Sequence, residues 1–209
     1  MRVFSICDYS GNWSKPYADA GYEVYRFDPK LETKTRNNVF CYGWTVEELI
    51  NHLGVDVPER CDVFLMAPPC THFSVSCNRF WAEKDADGRT AAALRIIDQC
   101  VELLHLVEPV IWALENPVGR LWKLRPELGK PWYFQPCDFG EDYKKKTGLV
   151  GIFTPPLPLF IGEDLSVKPT KQFDRMHKWS GEKRRESRSV TPLKFAEAFF
   201  KTNNPMRAK

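Results

Sequence analysis

The chain lacks a strong charge of either sign. Its 209 residues carry a formal net charge of only +3, so charge alone does not mark it as a partner of nucleic acid. It also lacks any C-x-x-C pair. The seven cysteines are odd in number, and several sit in apolar, strand-like runs. That pattern argues against a disulfide framework and against a zinc site, and predicts reduced intracellular thiols with no metal. No apolar run approaches the roughly 18 residues of a membrane span, and Asp8 interrupts the first apolar run where a signal peptide would need to continue. A soluble, cytoplasmic protein with no membrane partner is expected. No internal repeat is visible. Aromatic residues, by contrast, are plentiful, with seven Trp and fourteen Phe, and 43% of the chain is hydrophobic. This suffices for one α/β domain with a substantial core, not for two, and excludes disorder throughout.

Short β-like runs alternate with helical patterns. Arg2–Cys7, Glu23–Phe27, Asn38–Cys41, Asp62–Ala67 and Val110–Leu114 read as strands. Trp13–Ala20, Thr45–Leu53 and Thr90–Val107 read as helices, the last with an apolar stripe at Leu94, Ile97, Val101 and Leu104. Thr71–Gly88 reads as a polar loop. Trp132–Phe134 and Leu149–Phe153 read as paired strands, and Pro192–Lys201 as a closing helix. Strand–helix alternation predicts an α/β fold with a doubly wound, mostly parallel sheet. Ligands of such sheets lie at the carboxyl ends of strands. Cys7–Gly11, Asp28, Cys41–Gly43, Pro69-Cys70 and Glu115-Asn116 fall there. Pro156–Glu186 reads as a short irregular insertion within a single domain spanning residues 1–209.

Two residues at those strand ends carry chemistry. Cys70 follows two prolines directly after a buried strand, which presents its thiol at the sheet edge, where a lowered pKa would make it a nucleophile. Glu115 closes the run Val110-Ile111-Trp112-Ala113-Leu114, a costly place for a carboxylate unless it is hydrogen-bonded or used as an acid. Basic residues cluster in Lys144–Lys146 and again in Lys183, Arg184, Arg185 and Arg188, and a locally basic face can follow a phosphate backbone.

The segment Ala67-Pro68-Pro69-Cys70-Thr71-His72-Phe73-Ser74 resembles the Pro-Cys-Gln-x-Phe-Ser motif of the DNA cytosine-C5 methyltransferases. Glu115-Asn116-Pro117 resembles their Glu-Asn-Val motif, and Asp87-Gly88-Arg89-Thr90 is also similar. Phe4–Asp28 is similar to the first cofactor segment, Gly140–Phe153 to the segment with a Gln-x-Arg-x-Arg motif, and Ser187–Phe200 to the closing motif. The resemblance covers nearly the whole chain except about 156–186 and implies a Rossmann-like methyltransferase fold that uses S-adenosylmethionine on DNA, as a monomer. It implies Cys70 as the nucleophile at cytosine C6 and Glu115 as the partner of N3, with Lys145 or Lys146 supplying positive charge near the base. It assigns the cofactor to Tyr9, Ser10, Gly11, Asn12, Asp28, Pro69, Arg188 and Val190, and DNA contact to Ser74, Lys144, Lys146, Arg184 and Arg185.

The chain also departs from the family. Tyr9 stands where its first cofactor-loop glycine is expected, and no acid is evident around Tyr42-Gly43-Trp44. The insertion at 156–186 is far shorter than the usual target-recognition region, which implies low sequence specificity and resembles compact phage-encoded enzymes acting in a bacterial host. Arg188 stands at the position of an asparagine beside the transferred group. An arginine suits a carboxylate there, so carboxy-S-adenosylmethionine, giving 5-carboxymethylcytosine, is a second donor that these residues suit. The same chemistry on RNA would also suit them, and a catalytically silent DNA-binding relative is a further reading.

Overall fold

The computed structural model describes residues 1–158 and 190–208. Its elements alternate as the periodicity predicts. The strands of the first half are β1 (Arg2–Ile6), β2 (Glu23–Phe27), β3 (Lys34–Arg36), β4 (Val39–Tyr42) and β5 (Val63–Met66), with helices α1 (Lys15–Asp19) and α2 (Val46–His52). Then come α3 (Trp81–Ala86), α4 (Arg89–Val107), β6 (Ile111–Pro117), α5 (Leu121–Leu124), β7 (Trp132–Phe134), β8 (Thr147–Ile152) and α6 (Leu193–Thr202). The strands form one open sheet in the order β3-β4-β2-β1-β5-β6-β8-β7. The five strands from β4 to β6 are parallel, and β3, β8 and β7 each run antiparallel to a neighbour. The chain winds outward from β1 on one side and then from β5 on the other. The strand order therefore reverses between β1 and β5, the place where open α/β sheets bind ligands.

Burial follows from this winding. All four residues of β5 are buried, as expected for a central parallel strand covered on both faces. Phe64 and Met66 pack with Leu49 of α2 and Ile97 and Cys100 of α4, whereas Val63 and Leu65 pack with Trp13, Tyr17 of α1 and Phe195 and Phe199 of α6. The second layer is rich in rings. Phe134 and Phe195 stack with centroids 3.8 Å apart, and Tyr17 meets Phe200 edge-on at 4.8 Å. The last helix is also pinned to the sheet through Asn203, which donates to the Thr154 carbonyl at 2.8 Å and accepts from the Thr154 amide at 2.7 Å.

Three expectations are corrected, and one strand is added. The segment read as a polar loop holds a 3-10 turn over Val75–Phe80 and helix α3. Distant partners hold it. Lys84 donates to the Thr71 carbonyl at 2.6 Å, and Arg120 forks onto both oxygens of Asp85 at 2.7 and 2.8 Å while covering the Trp81 ring. The buried face of α4 is Ala93, Ile97, Cys100, Leu103 and Val107, so the predicted stripe is rotated. Small side chains at 93 and 100 allow close approach, and Leu94 and Leu104 pack at the rim. Strand β3 carries no apolar alternation, because it is an exposed edge strand whose Lys34 and Arg36 keep that edge charged. Finally, β6 runs on through Glu115 to Pro117, paired with β8 from Ile152 back to Thr147.

The turn from β1 to α1 depends on Asp8, which is 3% exposed. Its carboxylate accepts from Ser5 Oγ at 2.9 Å, Ser14 Oγ at 2.8 Å and the Gly11 amide at 2.9 Å. Gly11 adopts φ +75, and a Cβ there would lie 2.6 Å from the guanidinium carbon of Arg26. That guanidinium donates to the carbonyls of Asp8 at 2.8 Å and Tyr9 at 2.7 Å, closing the turn from β2. Replacing Asp8 by alanine removes a charged acceptor and strands several buried donors, so Asp8→Ala is expected to destabilise the fold by about 3 kcal/mol. Urea denaturation measures this, and a loss below about 1 kcal/mol would contradict the assignment.

Candidate active site at the carboxyl edge of the sheet

Chain leaving β5 turns sharply at Cys70, whose carbonyl accepts from the amides of Phe73 at 3.0 Å and Ser74 at 2.9 Å. This turn rests on the segment following β6. Ser74 bridges Gly119, and a Cβ on Gly119 would lie 2.0 Å from the Phe73 carbonyl oxygen. Only glycine allows this approach. Arg120, the next residue, donates to the His72 carbonyl at 3.1 Å.

Glu115 is 5% exposed on β6. Its two oxygens have different partners: Oε1 accepts from Lys145 Nζ at 3.3 Å, and Oε2 accepts from Thr191 Oγ1 at 2.9 Å. The Lys145 side chain is itself only 9% exposed and also donates to the Val190 carbonyl at 3.4 Å. Lys144 and Lys146 flank it in extended chain and are exposed, so the run alternates, with its middle ammonium inward and its neighbours outward. Lys146 lies 5.0 Å from the Tyr133 ring centroid.

Cys70 belongs to the same cluster. Burial pushes its thiol above the ordinary range, the Lys145 ammonium pulls it down, and the Glu115 carboxylate pushes it up again. Tyr143 is raised by burial and by the carboxylates of Glu141, Glu115 and Asp142. Burial and then the cations of Lys84, Arg89 and Arg120 hold the His72 pKa below the usual value, and its Nδ1 has no partner among the described residues. Asn116, 1% exposed, donates to the Pro68 carbonyl at 3.3 Å, tying β6 to the proline pair.

The residues read as a cofactor seat lie beside this cluster. Tyr9 is 57% exposed, and Ser10 sits in the Asp8 turn with its hydroxyl accepting from the Asn12 amide at 3.2 Å. Asn12 Nδ2 donates to the Thr191 carbonyl at 3.2 Å. Asp28, at the end of β2, accepts from the Lys30 amide at 2.9 Å, and burial is the main cause of its raised pKa. Pro69 is exposed at the sheet edge. A cavity of about 550 Å³ opens beside Tyr9 and Ser10, with Arg26, Lys30 and Lys34 on its walls. Ser74 is buried, its hydroxyl bonded to Ser76 Oγ at 2.9 Å. Arg184, Arg185 and Arg188 lie outside the described residues, as does most of 156–186.

The structure thus brings Cys70, Glu115 and Lys145 together, with Val190 and Asn12 at their border. Sequence reasoning missed Asp8 and Thr191. Asp8-Tyr9-Ser10-Gly11 has the composition of an Asx turn, a signal available in the sequence, whereas Thr191 carries none beyond its place before Pro192. Among the described residues no group of His, Cys, Asp and Glu is arranged to hold a metal, and no helix is long and apolar enough to cross a membrane.

No protein-family profile matches the chain, and no curated protein does. Among solved structures, it is similar to a candidate DNA modification methyltransferase encoded within a prophage in E. coli. The TM-score is 0.46 and the identity 16%, over 79% of this chain and 50% of the other. The chain thus spans half the length of that protein.

The opposed influences on Cys70 have a measurable consequence. Glu115→Gln removes a negative neighbour and should speed alkylation of Cys70 by iodoacetamide at pH 8. Lys145→Gln removes the positive one and should slow it, each by up to about tenfold, the change in thiolate fraction for one pKa unit. Peptide-resolved mass spectrometry follows the label, and equal rates in the three proteins would refute the coupling.

Proposed function

We propose that the protein transfers a methyl group from S-adenosylmethionine to C5 of cytosine in DNA, through a Rossmann-like methyltransferase fold and a covalent adduct at Cys70. The observation that carries this reading is the cluster of a half-buried thiol, a buried carboxylate and a buried ammonium at the carboxyl edge of the sheet. Cytosine C5 is a weak nucleophile. Addition of the Cys70 thiolate to C6 breaks the ring's aromaticity and makes C5 enamine-like. Glu115 in its acid form would donate its proton to N3, which takes up the electron pair that the thiolate displaces. Lys145 orients Glu115 through Oε1 and draws the Cys70 thiol toward its reactive form. Once C5 carries the methyl group, with S-adenosylhomocysteine as the leaving group, loss of the C5 proton to solvent and departure of the Cys70 thiolate would restore the aromatic ring.

The cofactor's fit is supported by the turn that Asp8 shapes and by the hydrogen bond from Asn12 to the Thr191 carbonyl, which brings that turn to the buried carboxylate. Tyr9, Ser10, Gly11 and Asn12 would hold the amino-acid end, Asp28 the ribose hydroxyls, and Pro69 and Val190 the remaining walls. S-adenosylmethionine bound there supplies an electrophilic methyl group. The exposed Lys144 and Lys146 support DNA as the partner, since ammonium groups beside the base site would meet phosphates. The target base must leave the helical stack to reach a buried thiol.

Two experiments test this. Incubation with S-adenosylmethionine and DNA containing 5-fluorocytosine should leave a denaturation-resistant adduct at Cys70, absent in Cys70→Ser. Glu115→Gln should slow adduct formation by about 100- to 10,000-fold, the usual worth of a positioned acid or base. Nucleoside mass spectrometry of DNA co-expressed with the protein should show 5-methylcytosine in many sequence contexts. Unmodified DNA together with no adduct refutes the reading, and a carboxymethyl product would instead identify the carboxylated donor.

A further inference from the structure

Thr191 is the residue at which the two halves of the site meet. It is 3% exposed, in the short stretch that leads into α6. Its hydroxyl donates to Glu115 Oε2 at 2.9 Å, and its own carbonyl accepts from Asn12 Nδ2 at 3.2 Å. One residue therefore separates a hydrogen bond to the β1–α1 turn from a hydrogen bond to the buried carboxylate. The preceding carbonyl, that of Val190, accepts from the same Lys145 that holds Glu115 Oε1. Glu115 is thus gripped at both oxygens by groups whose positions depend on residues 190 and 191.

We propose that Thr191 is a positioning residue that couples occupancy of the β1–α1 turn to the orientation of Glu115, so that cofactor and target cytosine bind cooperatively. This rests on the function proposed above, which makes the turn the cofactor's seat and Glu115 the partner of the base. A glutamate side chain held at only one oxygen can take more than one rotamer about that contact. With the Thr191 hydroxyl absent, Glu115 pivots about its contact with Lys145. A ligand that orders Asn12 also orders the carbonyl it bonds, and so fixes the hydroxyl on the other side of the same residue. The second ligand then meets a carboxylate already in place and bears less ordering entropy. Linkage requires the effect to be reciprocal, with bound DNA tightening the cofactor by the same factor.

The test measures that factor. Affinity for a duplex carrying mismatched cytosines, which leave the stack most easily, is measured by fluorescence anisotropy with and without saturating S-adenosylhomocysteine. In the wild-type protein the cofactor product should tighten DNA by about fivefold or more, within the usual span of coupled sites. Thr191→Val keeps the shape and loses the donor, so the ratio should fall to about one. Thr191→Ser restores the donor and should restore the ratio, which a merely structural role for the side chain would not do. Asn12→Ala breaks the link from its other end and should also bring the ratio to about one, serving as the second variant if Thr191→Val does not fold. A Thr191→Val or Asn12→Ala protein that keeps the wild-type ratio overturns the inference, as does a wild-type ratio of one. The same wild-type preparation is tested for the 5-fluorocytosine adduct. Adduct without coupling overturns this inference alone, and no adduct overturns the function on which it rests.

Discussion

A buried contact between Glu115 and Lys145 organises the carboxyl edge of this sheet. Both side chains are nearly excluded from water, and placing two charged groups there is costly unless each is satisfied by its neighbours. Here the remaining valences are met by a hydroxyl at 191 and a carbonyl at 190. The pair therefore does more than join two strands. It draws the chain that precedes β8 and the chain that precedes α6 onto β6, and it surrounds the Cys70 thiol with opposed charges. A body otherwise packed with rings thus holds a polar centre at the carboxyl edge of β6, apart from the one that Asp8 forms in the β1–α1 turn.

The surroundings of Cys70 are fixed by a different kind of force. The proline pair and the close approach of Gly119 set the backbone, while Lys84 and Arg120 fasten the following segment from the side. Arg120 is mostly buried and bonds a carboxylate, a hydroxyl and a carbonyl at once. The chain after the thiol is therefore a braced turn and helix. Its exposed members, Val75 and Phe80 among them, are presented on a supported surface.

What was legible in the sequence had a local cause. The apolar runs of β1, β2 and β5 and the helical pattern of α2 are written in neighbouring residues, and their elements fall where expected. The thiol and carboxylate were legible because each sits at the end of such a run. What was not legible depends on partners far away in sequence. The 75–86 segment is stabilised from Arg120, the edge strand β3 exists because β4 lies beside it, and Thr191 matters only because Glu115, 76 positions earlier, is within reach. The α4 stripe was misjudged for a related reason, since Ala93 and Cys100 count as core only once a sheet is pressed against them. Asp8 is intermediate. Its turn chemistry is local, but the Arg26 guanidinium that completes the turn comes from another strand.

The ends that border residues 159–189 are anchored separately. On one side Thr154 is locked to Asn203 through two hydrogen bonds. On the other, Val190 and Thr191 are moored to Lys145, Glu115 and Asn12. Each mooring is made by residues of the sheet body. The arrangement works like a socket. The bonds at 154 and at 190–191 have their partners in the sheet body, so a change of length between the two anchors leaves those partners in place.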